Sequence, residues 1–296
     1  MVAEGLETFL SGLFSKALQA LRMIERGETD RLSVPVAEAA ALGRRLERFV
    51  TREEMAAAEE GLAEQRWEKP TLELSVGEGY RKWAEEYDRE ANPLIAIEEP
   101  AVWELVGDAA GKEALDAACG TGRYAVRLAQ EGARVRGVDA SEDMLAVARR
   151  KRDELGVRVE LGRGDLTALP FPEESFDVAI CALALCHLPD LRGPMRELAR
   201  VLRPGGRLIV SDFHPFALLI GWRTAFRRAE ATYLIENHSH LIADYVGAAR
   251  ESGLRLGELR EEVVDERLAT IVSELDVMRF RGFPLALIMA AEKEGS

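Results

Sequence analysis

Ala114-Leu-Asp-Ala-Ala-Cys-Gly-Thr-Gly-Arg123 is the stretch on which the fold turns. An apolar run enters a Gly-x-Gly turn, and an amphipathic segment, Tyr124 to Gln130, leaves it. That is the pattern of a strand feeding a helix through a tight corner. Glycine there lets the backbone approach a ligand closely and take conformations closed to a side chain. A plain βα corner uses the same residues with no ligand, so the turn needs support from the rest of the chain.

The next strand supplies it. Val135-Arg-Gly-Val-Asp139 ends in an acid 23 residues after Asp116. A carboxylate at the tip of a second parallel strand can accept hydrogen bonds from both hydroxyls of a ribose. The alternative is a helix cap, but Ser141 can cap the following helix, which leaves Asp139 for a ligand. Further apolar runs follow at Val157 to Leu161, Phe176 to Ala182 and Arg207 to Val210, with amphipathic segments Glu142 to Glu154 and Met195 to Leu202 between them. Alternation at this spacing predicts a parallel sheet covered by helices on both faces. Leu254 to Val264 and Pro284 to Lys293 read as two closing strands, and Pro204-Gly-Gly206 as a structural turn. Gly164-Asp165-Leu166 follows the third strand, where Asp165 is either a turn acid or an acceptor for an adenine amino group.

These segments together resemble class I S-adenosylmethionine-dependent methyltransferases of the small-molecule type. The resemblance runs from about Gly79 to Lys293 and rests on Leu115 to Gly122, Asp139, Asp165 and Leu202 to Gly206. It implies a seven-stranded, doubly wound, mostly parallel Rossmann-like sheet whose last strand, Pro284 to Lys293, is antiparallel. It implies S-adenosyl-L-methionine as cofactor, with Asp116, Ala118, Cys119, Gly120 and Gly122 near its methionine part. Asp139 and Ala140 would then face the ribose, and Asp165 and Leu166 the adenine. Ala118 departs from the family, which has glycine there. A dinucleotide dehydrogenase is the competing reading of a glycine turn plus acid. Its fingerprint fits only with Ala125 at the third glycine position and does not account for Asp165.

Methyl transfer needs a lid and a dry pocket more than a fixed triad. The lid candidate is Gly79 to Asp88, where Tyr80, Trp83 and Tyr87 share a helical spacing; Tyr80 and Tyr87 are assigned to the cofactor side and Trp83 to the substrate pocket. The segment Ser211 to Leu241 is too long for a simple connection and adds Phe213, Trp222, Tyr233 and His238 to that pocket. His214 and His187 each follow a strand on the ligand side and are the candidate catalytic bases. Cys119, inside the glycine turn, reads as cofactor packing and not as a nucleophile.

Composition narrows the acceptor. Lys+Arg number 39 against 52 Asp+Glu, a net charge of −13, which disfavours nucleic acid and anionic membranes as partners. No Asn-Pro-Pro-Tyr segment, the family mark of amine methylation, follows the fourth strand; Cys181-Ala-Leu-Ala184 stands there instead. No metal-ligand pattern is recognisable in the three scattered cysteines or the acids. A cytoplasmic enzyme of small organic acceptors is the expectation, methylating oxygen, carbon or nitrogen. The alternatives are a macromolecular acceptor or an inactive cofactor-binding subunit. Residues 1–75 read as a helical extension that dimerises the protein or caps the site, ahead of a methyltransferase domain over 76–296.

Overall fold

The computed structural model describes residues 70–219, 222–272, 277–278 and 280–295. Most of the expected helical extension, with its proposed dimerisation or capping role, lies outside them. In chain order, β1 (Thr71–Leu74) precedes α1 (Val76–Trp83) and α2 (Pro93–Val106). Then come β2 (Glu113–Ala117), α3 (Arg123–Gln130), β3 (Arg134–Asp139), α4 (Glu142–Leu155), β4 (Val159–Arg163) and β5 (Phe176–Ala182). The chain continues through α5 (Arg192–Val201), β6 (Leu202–Phe213), α6 (Pro215–Leu219), β7 (Thr224–Arg227) and β8 (Thr232–Ile235). It ends in α7 (Ile242–Glu251), β9 (Leu254–Val263) and β10 (Pro284–Lys293).

Period-two alternation of apolar residues builds the main sheet. Leu115, Ala179, Cys181, Leu208, Val210, Leu287 and Met289 face a core shared with α5 and α7. Their neighbours Ala114, Val178, Ile180, Ile209, Ile288 and Ala290 face the opposite core, shared with α2 and α3. With both faces buried, the strands carry apolar residues on both sides, as parallel sheets require. The seven strands run in the order β4-β3-β2-β5-β6-β10-β9, and β10 pairs antiparallel with β6 and β9. The expected sheet is therefore present, antiparallel strand included. The chain moves outward from β2 to β4 and returns at β5, so β2 and β5 flank the point where the strand order reverses. Ligands of open α/β sheets bind at the carboxyl ends of strands at such a point.

Three local features depart from the sequence expectations. Thr71 to Leu74, placed in the helical extension, is instead strand β1, in parallel register with Thr232 to Ile235 of β8. With β7 it completes a second sheet in the order β1-β8-β7, so part of the long segment after β6 becomes a hairpin. Alternating burial of Thr224 and Phe226 on β7 and of Tyr233 and Ile235 on β8 explains why that hairpin forms. The Pro204-Gly-Gly206 turn is absorbed into β6 as an irregularity. Leu202 pairs with Phe176, the register then jumps to Arg207 opposite Val178, and Gly205 takes φ 75° to accommodate the jump.

Candidate active site

The carboxyl ends of β2, β3 and β5 converge on the glycine turn. Ala118, Gly120 and Gly122 take φ of 60°, 52° and 79°, so the turn runs through left-handed backbone three times within five residues. Glycine enters that region freely, whereas alanine is penalised by about 1 kcal/mol. Ala118, the residue that departs from the family's glycine, thus sits where glycine's freedom would have been used. A side chain on Gly122 would come to 3.2 Å from the Cβ of Ala148 on α4, so the turn also lies close against that helix.

Asp139 joins this turn to β3. Its Oδ2 accepts from the Gly120 N–H at 2.8 Å and its Oδ1 from the Ser141 N–H at 2.8 Å. Ser141 caps α4 through its own hydroxyl, which accepts from the Met144 N–H. Each carboxylate oxygen of Asp139 has spent one acceptor position on the backbone and retains another. The group is held rigidly at a strand tip with capacity for two further donors, which is the chemistry a ribose diol requires. Burial pushes its pKa up, opposed by the donors from Ser141 and Gly120.

Asp116 stands on β2, just before the turn. It is buried, and its Oδ2 accepts from the Ala125 N–H in the first turn of α3 at 2.8 Å. It anchors the helix that follows the glycine turn. Burial pushes its carboxyl up to about 7. An aspartate in an unfolded chain titrates near 3.9. Between the two values the folded chain holds a proton that the unfolded chain has released, so Asp116 makes stability fall as pH rises through that window. Asp116→Asn preserves the acceptor for Ala125 and removes this slope. Urea unfolding at about pH 5 and about pH 8 should show the loss of stability smaller in the variant, by on the order of 2 kcal/mol. Equal pH slopes in the two proteins would contradict the assignment.

The remaining expected cofactor residues are close by. Cys119 is buried, and its thiol is pushed well above the usual range by burial, which keeps it neutral and unreactive. Asp165 is exposed; its Oδ1 accepts from the Thr167 N–H at 2.8 Å and the Thr167 hydroxyl at 2.7 Å. These bonds hold its pKa down, and Oδ2 remains as an acceptor. Leu166 is half-buried on the α5–α7 side of the sheet, and Ala140 lies between Asp139 and the Ser141 cap.

The segment expected to act as a lid is a short helix followed by turns. Tyr80 and Trp83 lie on α1, whereas Tyr87 falls beyond its end, so the three do not share one helix. They still cluster, with ring centroids 6.2 Å apart for Tyr80–Tyr87 and 4.9 Å for Trp83–Tyr87. Burial pushes the Tyr87 phenol up to about 12. Asp88, beside it, accepts from the Thr121 hydroxyl of the glycine turn at 2.7 Å and pairs with Lys151 of α4 at 2.7 Å. Asp88 and Thr121 lie within the lid segment and the glycine turn quoted from the sequence, but neither was given a role, and Lys151 was not singled out. The only available signal was the adjacency of Asp88 to Tyr87.

The two candidate histidines separate clearly. His187 stands in a 3-10 turn, Leu185–His187, directly after β5. Its Nε2 lies 2.8 Å from the Tyr80 hydroxyl and its Nδ1 2.7 Å from the Glu236 carbonyl oxygen. His214 is built into the scaffold at both nitrogens. Its Nδ1 accepts from the Phe216 N–H at the start of α6, and its Nε2 bonds Glu261 of β9 at 2.8 Å. His214 is thus held between the start of α6 and β9, whereas the Nε2 of His187 meets a side-chain hydroxyl on α1.

The expected substrate pocket also divides. Phe213 and Trp222 belong to an apolar cluster with Leu94, Ile97 and Leu285, and Trp222 stacks on Phe283 at 5.3 Å. Trp83 and Tyr233 belong to another, each stacked on Phe226 of the small sheet. All four are buried, in two separate apolar clusters. His238 is half-exposed 3.5 Å from Glu236, and its N–H donates to the Cys186 carbonyl, beside the His187 turn.

Comparison with known proteins agrees with this architecture. A methyltransferase domain model matches residues 115–210, from β2 through most of β6. The demethylmenaquinone methyltransferase of Listeria welshimeri is 34% identical over 165 residues, which are 53% of this chain and 69% of that protein. The chain belongs to the S-adenosylmethionine-dependent methyltransferase family. The demethylmenaquinone methyltransferase of Tropheryma whipplei is 36% identical over 143 residues, which are 46% of this chain. The match spans 58% of that relative's own length. An S-adenosylmethionine-dependent methyltransferase from Mesorhizobium loti superposes with a TM-score of 0.56 at 23% identity, covering 67% of this chain and 98% of that one. At that identity the likeness concerns the fold. Among the described residues no helix is long and apolar enough to cross a membrane, and no group of His, Cys, Asp and Glu is placed to hold a metal ion.

Proposed function

We propose that this chain transfers a methyl group from S-adenosyl-L-methionine to a small organic acceptor. The observation that carries the reading is Asp139, fixed by the Gly120 and Ser141 N–H groups with acceptor capacity left on both oxygens, beside the switch point. In this reading Asp139 holds the ribose hydroxyls, the backbone from Ala118 to Gly122 receives the methionine part, and Asp165 and Leu166 meet the adenine. The bound cofactor supplies an electrophilic methyl group. The protein's part is to bind, orient and exclude water.

The acceptor side lies under α1, where Tyr80 and His187 meet. The net charge of −13 and the names of the curated relatives both favour a small molecule over a polyanion. Titration calorimetry of the protein with S-adenosylmethionine should show saturable binding at one site per chain. Incubation with methyl-labelled cofactor and a metabolite extract should then label a low-molecular-mass product. Absence of cofactor binding would overturn the reading, and label recovered only in protein or nucleic acid would overturn the acceptor class.

A further inference from the structure

Tyr80 reaches from the lid to the body of the molecule. It packs against the cluster of Ala84, Met144 and Val147, and the terminal methyl of Met144 lies 3.4 Å from where a side chain on Gly120 would begin. At its other end the hydroxyl meets His187 Nε2 at 2.8 Å, with the two rings edge to face at 5.3 Å. The direction of that bond follows from the far side of the imidazole. A carbonyl oxygen only accepts, so the 2.7 Å contact of Nδ1 with the Glu236 carbonyl requires the proton on Nδ1. Nε2 of the neutral ring is then the acceptor and Tyr80 O–H the donor. Among the described residues, His187 is the hydrogen-bond partner of the Tyr80 hydroxyl, whose oxygen retains lone pairs for a donor from outside.

The His187 turn is held from several sides. Asp212, on β6, accepts from the Cys186 N–H at 2.7 Å and from the Tyr245 hydroxyl at 2.9 Å. Asn237 donates to Cys186 Sγ and to the Thr224 hydroxyl, tying the turn to the small sheet. Tyr80, Asp212, Glu236, His238 and Cys186 are the titratable groups around the ring. Burial pulls the His187 pKa down, so the ring is neutral near neutral pH, with Nε2 as its acceptor.

We propose that Tyr80 and His187 form a proton relay that fits an acceptor bearing a phenolic or enolic hydroxyl, making this an oxygen-methylating site. This rests on the methyltransferase reading above. As the acceptor oxygen's electron pair forms the new bond to the methyl carbon, the carbon–sulfur bond breaks and its pair stays on sulfur. The acceptor's proton passes to the Tyr80 oxygen while the Tyr80 proton passes to His187 Nε2. The product is the neutral methyl ether, with the positive charge moved from sulfur to an imidazolium whose Nδ1–H remains on the Glu236 carbonyl. Tyr80 would touch the acceptor, and His187 acts through it.

The test uses 4-methylphenol as a hydroxyl probe, neutral from about pH 5 to 8, with the full chain and methyl-labelled S-adenosylmethionine. Wild-type protein should release the labelled methyl ether, with kcat falling on the acid side as His187 takes up a proton. Tyr80→Phe and His187→Gln, both checked for fold by circular dichroism, should each lower kcat at least about tenfold and lose that acid limb, with little change in the affinity for S-adenosylhomocysteine. No labelled ether from the wild type, or equal turnover and pH profile in the variants, overturns the relay. Calorimetry of S-adenosylhomocysteine with the wild type separates the two readings. If that ligand binds and the probe is not methylated, the relay fails alone; if it does not bind, the methyltransferase reading fails.

Discussion

Asp139→Ala should weaken S-adenosylmethionine binding at least about 100-fold, measured by titration calorimetry. The structure gives two reasons. A charge-assisted hydrogen bond to a ligand hydroxyl contributes about 1.5–3 kcal/mol, and two of them correspond to roughly a hundredfold or more in affinity. The same substitution removes the acceptor of the Gly120 N–H, so the turn loses one of its ties to β3 as well as the proposed ligand contact. Asp139→Asn keeps one oxygen acceptor but loses the charge, and should fall between the wild type and alanine. An alanine variant that stays folded and binds within about threefold of wild type would remove Asp139 from the site.

Gly79→Ala should destabilise the protein even though alanine is the better helix former. Gly79 lies on α1, and a Cβ there would sit 2.5 Å from Cγ1 and 2.7 Å from Cδ1 of Ile235 on β8. Ile235 is β-branched, buried and paired within the small sheet, so its Cγ atoms have little room to move. Overpacking of this kind costs about 1–3 kcal/mol, against about 1 kcal/mol gained from replacing glycine inside a helix. In an Ile235→Ala background the obstruction is gone, and Gly79→Ala should become neutral or stabilising. That change of sign in urea unfolding is the discriminating result. Equal effects in both backgrounds would show that α1 is not seated on β8 as described. Tyr80 follows Gly79 directly, so the clashing variant should also loosen the Tyr80–His187 contact.

The glycine turn and the acid beside it were legible in the sequence because they are local. A strand, a glycine turn, a helix and an acid at the next strand tip are each set by residues within a few positions, and their spacing carries into space through regular βα units. Asp139, Gly120 and Gly122 stand where that reasoning placed them. The bond of Asp116 to the Ala125 N–H was not legible, because it depends on how α3 closes on β2. The acceptor half was less legible. His187 and His214 both follow strands on the same side of the sheet, and nothing nearby in sequence distinguishes them. What separates them is distant: Tyr80 and the Glu236 carbonyl for one, Glu261 for the other. The aromatic residues expected in one pocket were assigned by chain proximity, yet the fold sends them to two clusters.

By itself, the sequence determined the α/β class, the strands of the main sheet and the place of its antiparallel member. It also determined the turn and acid that fit the family's cofactor. These follow from burial patterns and backbone permissions that each segment carries alone. Only the tertiary structure decided that Thr71 to Leu74 is a strand, that Asp88 ties the lid to Thr121, and that Tyr80 meets His187. Each of these depends on groups brought together from distant parts of the chain. Their energies exist only once the chain has closed, so no local pattern records them.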